Sequence, residues 1–302
     1  MSTPIDAKVK EFLPHVAGLR AIAIFLVVWF HLSQHNDGGE TLFSLPQGFY
    51  GVDVFIVIMG YFLFFGFVRN PSVTWKHFFQ KKLSRLLLPL NFLILIICFL
   101  SLFFLDFSGL REMASTAICA MLGGANIQLK YSTSGYFAGD TSLNPLFHTW
   151  YIGVAVQLFV ISYLLFLFLK NRCFSTILIV LSIVGVFSFI CDMGDPIKTL
   201  FSRWGISTPW RYGEFSYYDV IPRIWELLAG GIVFLLPNVS NKKFSLLICI
   251  CASFLVLIPS CSASTSSVVS VMVVLGTVFL IRYGRECCLS AILSNNLMGT
   301  SN

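Results

Sequence analysis

Eight apolar runs, each bounded by polar or charged residues, dominate the chain: 16–32, 49–68, 86–107, 149–169, 175–191, 221–237, 244–260 and 267–281. A helix that crosses a bilayer needs about 20 mainly apolar residues, so the shorter runs draw on their flanks. A ninth run, 113–127, is interrupted by Gly123, Gly124 and Asn126 and is expected to be re-entrant or interfacial. The pattern predicts an all-α fold, a polytopic membrane helix bundle of about eight spans plus that one short segment.

Composition agrees. The 302 residues are 57% hydrophobic and 11% charged, against about 25% charged in soluble domains, with a mean hydropathy of +0.83. The length suits a single membrane domain over 1–302. The formal charge of +6 comes from residues scattered at span ends, so no nucleic-acid partner is expected and membrane lipid is. The nine cysteines sit mostly inside apolar runs with no metal-type spacing and read as free thiols. No small-residue cleavage site follows the first run, so it is expected to remain as a span.

Loop charge sets the orientation. Lys8 and Lys10 precede run one, and Arg69, Lys76, Lys81, Lys82 and Arg85 lie between runs two and three, whereas the first interval carries only Asp37 and Glu40. With 113–127 not spanning, Lys170, Arg172, Lys242, Lys243, Arg282 and Arg285 fall on the side of Lys8. Both termini are then cytoplasmic, and 128–147 and 192–220 are outer loops. The aromatic and Arg-rich stretch 198–219 suits stacking on sugar rings.

The first run holds the most informative pair. Arg20 and His31 both lie in GLRAIAIFLVVWFHL, residues 18–32. Eleven residues is just over three turns, so both side chains leave one helix from nearly the same face, about 16 Å apart along the axis. An ion inside an apolar span is costly and marks a functional site by default. His titrates near neutral pH and can take a proton. Arg can meet developing negative charge, although near a span end it can also snorkel. His35 lies four residues after His31, a metal-like spacing, but no third ligand is evident and no metal is expected. Asp53 is a carboxylate early in run two, able to orient His31 or to pair with Arg20. Lys81, Lys82 and Arg85 at the start of run three suit phosphate binding or plain positive-inside anchoring. His148 and Trp150 open run four as acceptor-cleft or interface residues. Arg223 and Glu226, three apart, suit a structural ion pair.

Four segments together resemble the membrane acyltransferase-3 family, whose members O-acylate extracytoplasmic glycans. These are HVAGLRAIAIFLVVWFHL (15–32), with the family's Arg–ten residues–His element at Arg20 and His31; GFYGVDVFIVIMGYFL (48–63); NPLFHTWYIGVAVQLFV (144–160); and IPRIWELLAGGIVFL (221–235). The resemblance implies a bacterial inner-membrane O-acetyltransferase. It implies acetyl-CoA as cytosolic donor, held by Lys82, Arg85 and Arg20, and a glycan acceptor such as lipopolysaccharide or another surface polysaccharide. His31 and Arg20 become the catalytic pair, and His148, Trp150 and Asp53 the acceptor side.

The chain also departs from the family pattern. Ala155 and Val156 stand where two Glu usually precede Gln157, Met59 replaces a small polar residue, and Lys82 replaces the first Arg of an Arg-x-x-Arg element, losing the bidentate fork. ILSNNLMGTSN (292–302) resembles the lead-in to a further span, so the domain is expected to be C-terminally incomplete. Relatives often continue into a soluble SGNH domain, whose role would here fall to a separate extracytoplasmic partner protein. A transporter or flippase-like protein, since these also carry intramembrane ions, and an inactive truncated remnant are the competing readings.

Overall fold

A computed structural model describes residues 13–34, 46–133, 144–193, 218–236, 242–260 and 267–284. Among these residues ten α-helices form and no strand. They are α1 (Pro14–Gln34), α2 (Gly51–Arg69), α3 (Trp75–Phe104), α4 (Phe107–Met121), α5 (Ala125–Thr133), α6 (Trp150–Leu169), α7 (Phe174–Asp192), α8 (Ile224–Leu235), α9 (Lys242–Ser260) and α10 (Ser267–Tyr283). Three-residue 3-10 turns lead into α2, α6 and α8. Five helical stretches are long and apolar enough to cross a membrane, covering runs one to five. The helices α8, α9 and α10 match runs six to eight, and α8, with 12 residues, is shorter than its run. The molecule is a multi-pass membrane protein with an all-α fold.

Two details differ from the apolar pattern. Run three opens late, yet α3 already begins at Trp75, where the Thr74 hydroxyl caps the His77 N–H, and the basic residues 76–85 are helical. Run 113–127 is not one segment but two short helices. Gly123 breaks them with φ +74°, a conformation that L side chains avoid.

The helices fall into two compact units, residues 1–69 with 225–302 and residues 70–224. In the first, α1 buries the stripe Val16, Leu19, Ala23 and Leu26, the i, i+3, i+7 spacing of a helix with one packed face. That stripe joins Val54, Val57 and Ile58 of α2 and Val269, Val273 and Val274 of α10 in one apolar core. The α2 and α8 backbones cross at two glycines. A Cβ at Gly60 would strike the Leu227 carbonyl, and one at Gly230 the Val57 carbonyl. Small residues that let backbones meet are the membrane form of tight packing.

In the second unit, α4 and α5 form a hairpin against α6, where Val156 packs under Gly123. The start of α3 also lies on α6. Phe78 stacks on Tyr163 at 5.1 Å, and the Tyr163 hydroxyl donates to the Val73 carbonyl at 3.2 Å. The 3-10 turn 221–223 is tied to α7 by the Ser188 hydroxyl, which donates to the Ile221 carbonyl at 2.6 Å.

Candidate functional site

Arg20 and His31 lie on one unbroken helix, as the spacing predicts, along the edge of the buried stripe of α1. Arg20 is exposed, its guanidinium 4.8 Å above the Phe62 ring of α2, a cation–π distance. His31 is half-buried, with its ring edge-on to Phe30 at 5.0 Å. Gly48 and Gly51 bring the start of α2 against the Leu26 and Ala23 carbonyls of α1. The two helices therefore run antiparallel, and Asp53, in the first turn of α2, falls at a level between Arg20 and His31. Asp53 is fully buried and accepts from the Ser270 hydroxyl of α10 at 2.8 Å. A carboxylate in a first turn is favoured by the helix dipole. The first unit thus assembles a cation, an imidazole and a carboxylate around α1 and α2, and α10 adds a hydroxyl that the sequence pattern gave no reason to select. Glu226, in the first turn of α8, is buried in this unit as well.

The remaining candidates lie in the second unit. Lys82 is half-buried, with Nζ 5.8 Å from the Phe159 ring centroid; Lys81 and Arg85 are exposed. Their spacing puts all three within about 100° of arc on α3. Pro89 leaves the Arg85 carbonyl without its helical donor. Phe159 is ten residues from the end of α6, so Lys82 sits about 15 Å along that helix rather than at its tip. His148 is exposed in the turn before α6, and Trp150 is buried, edge-on to Tyr218 at 5.6 Å. Residue 150 is nine residues from Phe159, about 14 Å, so the structure keeps Lys82 and the His148–Trp150 pair apart. Arg223 is buried in the 3-10 turn. His35, most of 198–219 and the segment 292–302 lie outside the described residues.

The second unit also holds a polar cluster that the candidate residues do not include. The Gln157 amide donates to Asn126 Oδ1 at 2.8 Å, and Asn126 Nδ2 donates to the Tyr218 carbonyl at 3.0 Å. Asn144 donates to the Thr116 hydroxyl at 2.8 Å, and that hydroxyl lies 3.0 Å from Gln128 Oε1. Lys130 Nζ contacts both oxygens of Asp219, at 2.9 and 2.7 Å. Burial pushes the Tyr218 phenol up from its ordinary value. One signal was available: polar residues inside the interrupted run 113–127 and just after it. Ala155 is buried and Val156 packs on Gly123, so the positions that lack carboxylates are filled by packing, and Gln157 is held by an amide. Taken by itself, the first unit offers an imidazole to move a proton and a guanidinium to meet negative charge; taken by itself, the second offers ammonium and guanidinium groups on α3 and neutral amides and hydroxyls.

A family model described as an acyltransferase domain matches residues 15–289. Among curated proteins, the chain is 27% identical over 230 residues to a putative membrane-bound transacylase, BcsY, of Komagataeibacter xylinus, covering 74% of this chain and 51% of that protein. It is 29% identical over 247 residues to the O-acetyltransferase OatA of Staphylococcus aureus, covering 77% and 36%. It is 28% identical over 157 residues to the peptidoglycan O-acetyltransferase OatA of Listeria monocytogenes, covering 50% and 24%. The chain thus spans about half or less of the length of these relatives. No solved structure matches it.

Proposed function

Since the chain belongs to the acyltransferase domain family, as the match over 15–289 establishes, we propose that it is a membrane O-acyltransferase that moves an acetyl group from cytosolic acetyl-CoA to a hydroxyl of an extracytoplasmic glycan. The observation that carries the reading is the alignment of Arg20, Asp53 and His31 along the α1–α2 pair, beneath a family match that includes all three. Two relatives are named O-acetyltransferases, one of them for peptidoglycan, which supports an acetyl group and a glycan acceptor.

Acyl transfer makes one C–O bond and breaks one C–S bond. The acceptor hydroxyl loses its proton to the His31 imidazole as its oxygen attacks the thioester carbonyl. The thiol leaves, and the proton returns to it. Arg20, whose guanidinium lies over Phe62 at the end of the site away from His31, is assigned to donor phosphate. Asp53, fixed through Ser270, falls near the level of residue 21 of α1 by the register of Gly48 on Leu26 and Gly51 on Ala23, so its negative charge belongs to the Arg20 end of the site, about 15 Å along the helix from His31. Lys81, Lys82 and Arg85 fit an anionic donor: three cations in one arc of α3, with Lys82 held over an aromatic ring. The orientation read from loop charge, with cytoplasmic termini in a bacterial inner membrane, puts these cations on the donor side. His148, Trp150 and Tyr218 offer rings and a hydrogen-bonding edge to a sugar. A separate extracytoplasmic partner protein is part of the proposal.

The test is mass spectrometry of surface polysaccharide from cells with and without the gene, and from cells carrying His31→Ala at matched membrane level. The expected result is an acetyl-sized mass addition that depends on the gene and vanishes in the variant. A transporter or flippase would consume no labelled acetyl-CoA in membrane vesicles, and acetylation unaffected by His31→Ala would remove the assigned base.

A further inference from the structure

The second unit carries an exposed ring and a cation that the proposed reaction leaves unassigned. Two contacts set how α3 lies on α6. Phe78 stacks on Tyr163 at 5.1 Å, and Lys82 Nζ lies 5.8 Å from the Phe159 ring centroid. Residue numbers rise along α3 as they fall along α6, so the two helices run antiparallel here, and Trp75 falls at the level of Phe166. On α6, Phe159, Tyr163, Phe166 and Lys170 have the i, i+4, i+7, i+11 spacing of one helix face. Lys170 keeps helical backbone geometry, its N–H donating to the Phe166 carbonyl at 2.8 Å. On α3, Trp75 and Lys82 are seven apart and differ by about 20° of arc. Trp75 therefore sits about 10 Å along the groove from Lys82 and about 6 Å from the level of Lys170 on its other side. Trp75 is 61% exposed. Lys81, Arg85 and Lys170 have no ion-pair partner among the described residues, and α3 carries no acidic residue.

We propose that this groove binds the nucleotide end of coenzyme A, with Trp75 stacking the adenine, Lys82 and Arg85 on the pyrophosphate, and Lys170 on the 3′-phosphate. The inference rests on acetyl-CoA as the donor and assigns the parts of it that the transfer itself never touches. A ring set between two groups of cations matches a base flanked by phosphate on both sides. Coenzyme A is built that way, with pyrophosphate on the 5′ carbon of its ribose and a single phosphate on the 3′ oxygen. ATP, with phosphate on the 5′ side alone, would leave Lys170 unmatched. Stacking a base needs an open ring face. Phe78 and Tyr163 face each other, whereas Trp75 is open. Lysine meets phosphate as a point charge on a flexible four-carbon stem, so Lys170 can reach toward the ring from its place near the end of α6. Loop charge puts Lys170 and the α3 cations on one side of the membrane, the side of the donor. Membrane anchoring also uses basic and aromatic residues at span ends, and the experiment separates the two roles.

The test is equilibrium binding of coenzyme A and of its 3′-dephospho form to the purified full chain in lipid nanodiscs, with no acceptor and no turnover. The parent is expected to hold coenzyme A at least about tenfold more tightly than the dephospho form, the weight of one charge-assisted hydrogen bond. Lys170→Met brings coenzyme A down to the affinity of the dephospho form and leaves the dephospho form unchanged. Trp75→Leu stays apolar but has no stacking face, and weakens both ligands by about tenfold, the weight of one stacked base. Trp75→Phe recovers most of that loss. Both side chains are exposed, so the thermal midpoint of each variant is expected to match the parent's, which separates lost ligand from lost fold. Equal affinity of the parent for the two ligands overturns the role of Lys170. Coenzyme A binding that Trp75→Leu leaves unchanged makes the ring a membrane anchor and overturns the stacking, while the donor reading stands. A parent that binds no coenzyme A removes the donor reading itself, and this site with it.

Discussion

The two units solve the membrane problem in different ways. The first is held mainly by apolar packing, a continuous core of α1, α2 and α10 and glycines at the α2–α8 crossing, with the buried Ser270–Asp53 hydrogen bond as its polar exception. The second relies on polar clasps that tie its short helices α4 and α5 to α6 and to residues outside the helices: Asn126 with Gln157, Thr116 with Asn144, and Lys130 with Asp219. Hydrocarbon gives apolar helices little reason to prefer one neighbour over another, since lipid is as apolar as leucine. Close backbone contact and internal hydrogen bonds are the two remedies, and each unit favours one. The first should therefore be intolerant of added volume and the second of lost polarity.

The largest effect is expected at the glycine crossing. Gly230→Leu forces four carbons into a space where even a Cβ meets the Val57 carbonyl. A backbone cannot swing aside as a side chain can, so the cost is expected to reach at least about 3 kcal/mol, the upper range for overpacking. The measure is the yield of monodisperse protein in detergent. Recovery equal to the parent would show that the first unit is not built on close approach. Substituting His31→Gln should spare this yield and lower acetyl transfer by about 10²–10⁴-fold, the usual weight of a general base. That contrast separates packing from chemistry within one unit.

A middle-sized effect tests the second unit. Asn126→Leu removes the donor to the Tyr218 carbonyl and the acceptor of the Gln157 amide, leaving two polar groups unmet. A loss of about 2 kcal/mol is expected, read as a lower thermal midpoint. A smaller loss, about 1 kcal/mol or less, is expected for Lys130→Met, because the ion pair keeps side-chain exposures of 32% and 21% and solvent weakens it. Lys130→Met with Asp219→Leu should recover part of that loss. If the double variant is no better than the sum of the singles, Lys130 and Asp219 do not act as a pair.

The same contrast explains what the chain made legible. Long apolar runs reveal the helices of the first unit, and the Arg20–His31 spacing survives because one helix carries both, but the buried stripe of α1 does not stand out in a run that is apolar on nearly every side. Asp53 was visible as a buried carboxylate, but its partner Ser270 is 217 positions away, beyond any local pattern. The second unit was harder. Its short helices turn at Gly123 and are pinned by residues from distant segments, such as Asp219 on Lys130. The cations of α3 read as a span-end anchor because hydropathy marks where a run becomes apolar, not where a helix begins. Thr74 caps the helix 12 residues before run three opens at 86, and that places Lys82 along α6 rather than at its tip.

The smallest expected effect concerns where the second unit meets water. Asp106 caps α4, its carboxylate accepting the Gly109 N–H at 2.8 Å and the Ser108 hydroxyl at 2.8 Å. The Gly109 hydrogen bond, followed by that of Ser108, holds its carboxyl below the ordinary carboxylate value. A depressed folded-state pKa means that the unfolded chain binds the proton more readily. The cap's contribution is therefore complete above the ordinary aspartate range and fades as pH falls through the lowered folded value. Asp106→Asn keeps an acceptor at the cap but not the charge, so its thermal midpoint should sit slightly below the parent's at neutral pH and converge on it in acid. The Gly230 variant offers no such convergence, because that change touches no titratable group. If the Asp106→Asn gap stays constant from neutral to acid pH, the cap works through shape alone, and the clasps of the second unit owe less to charge than their geometry implies.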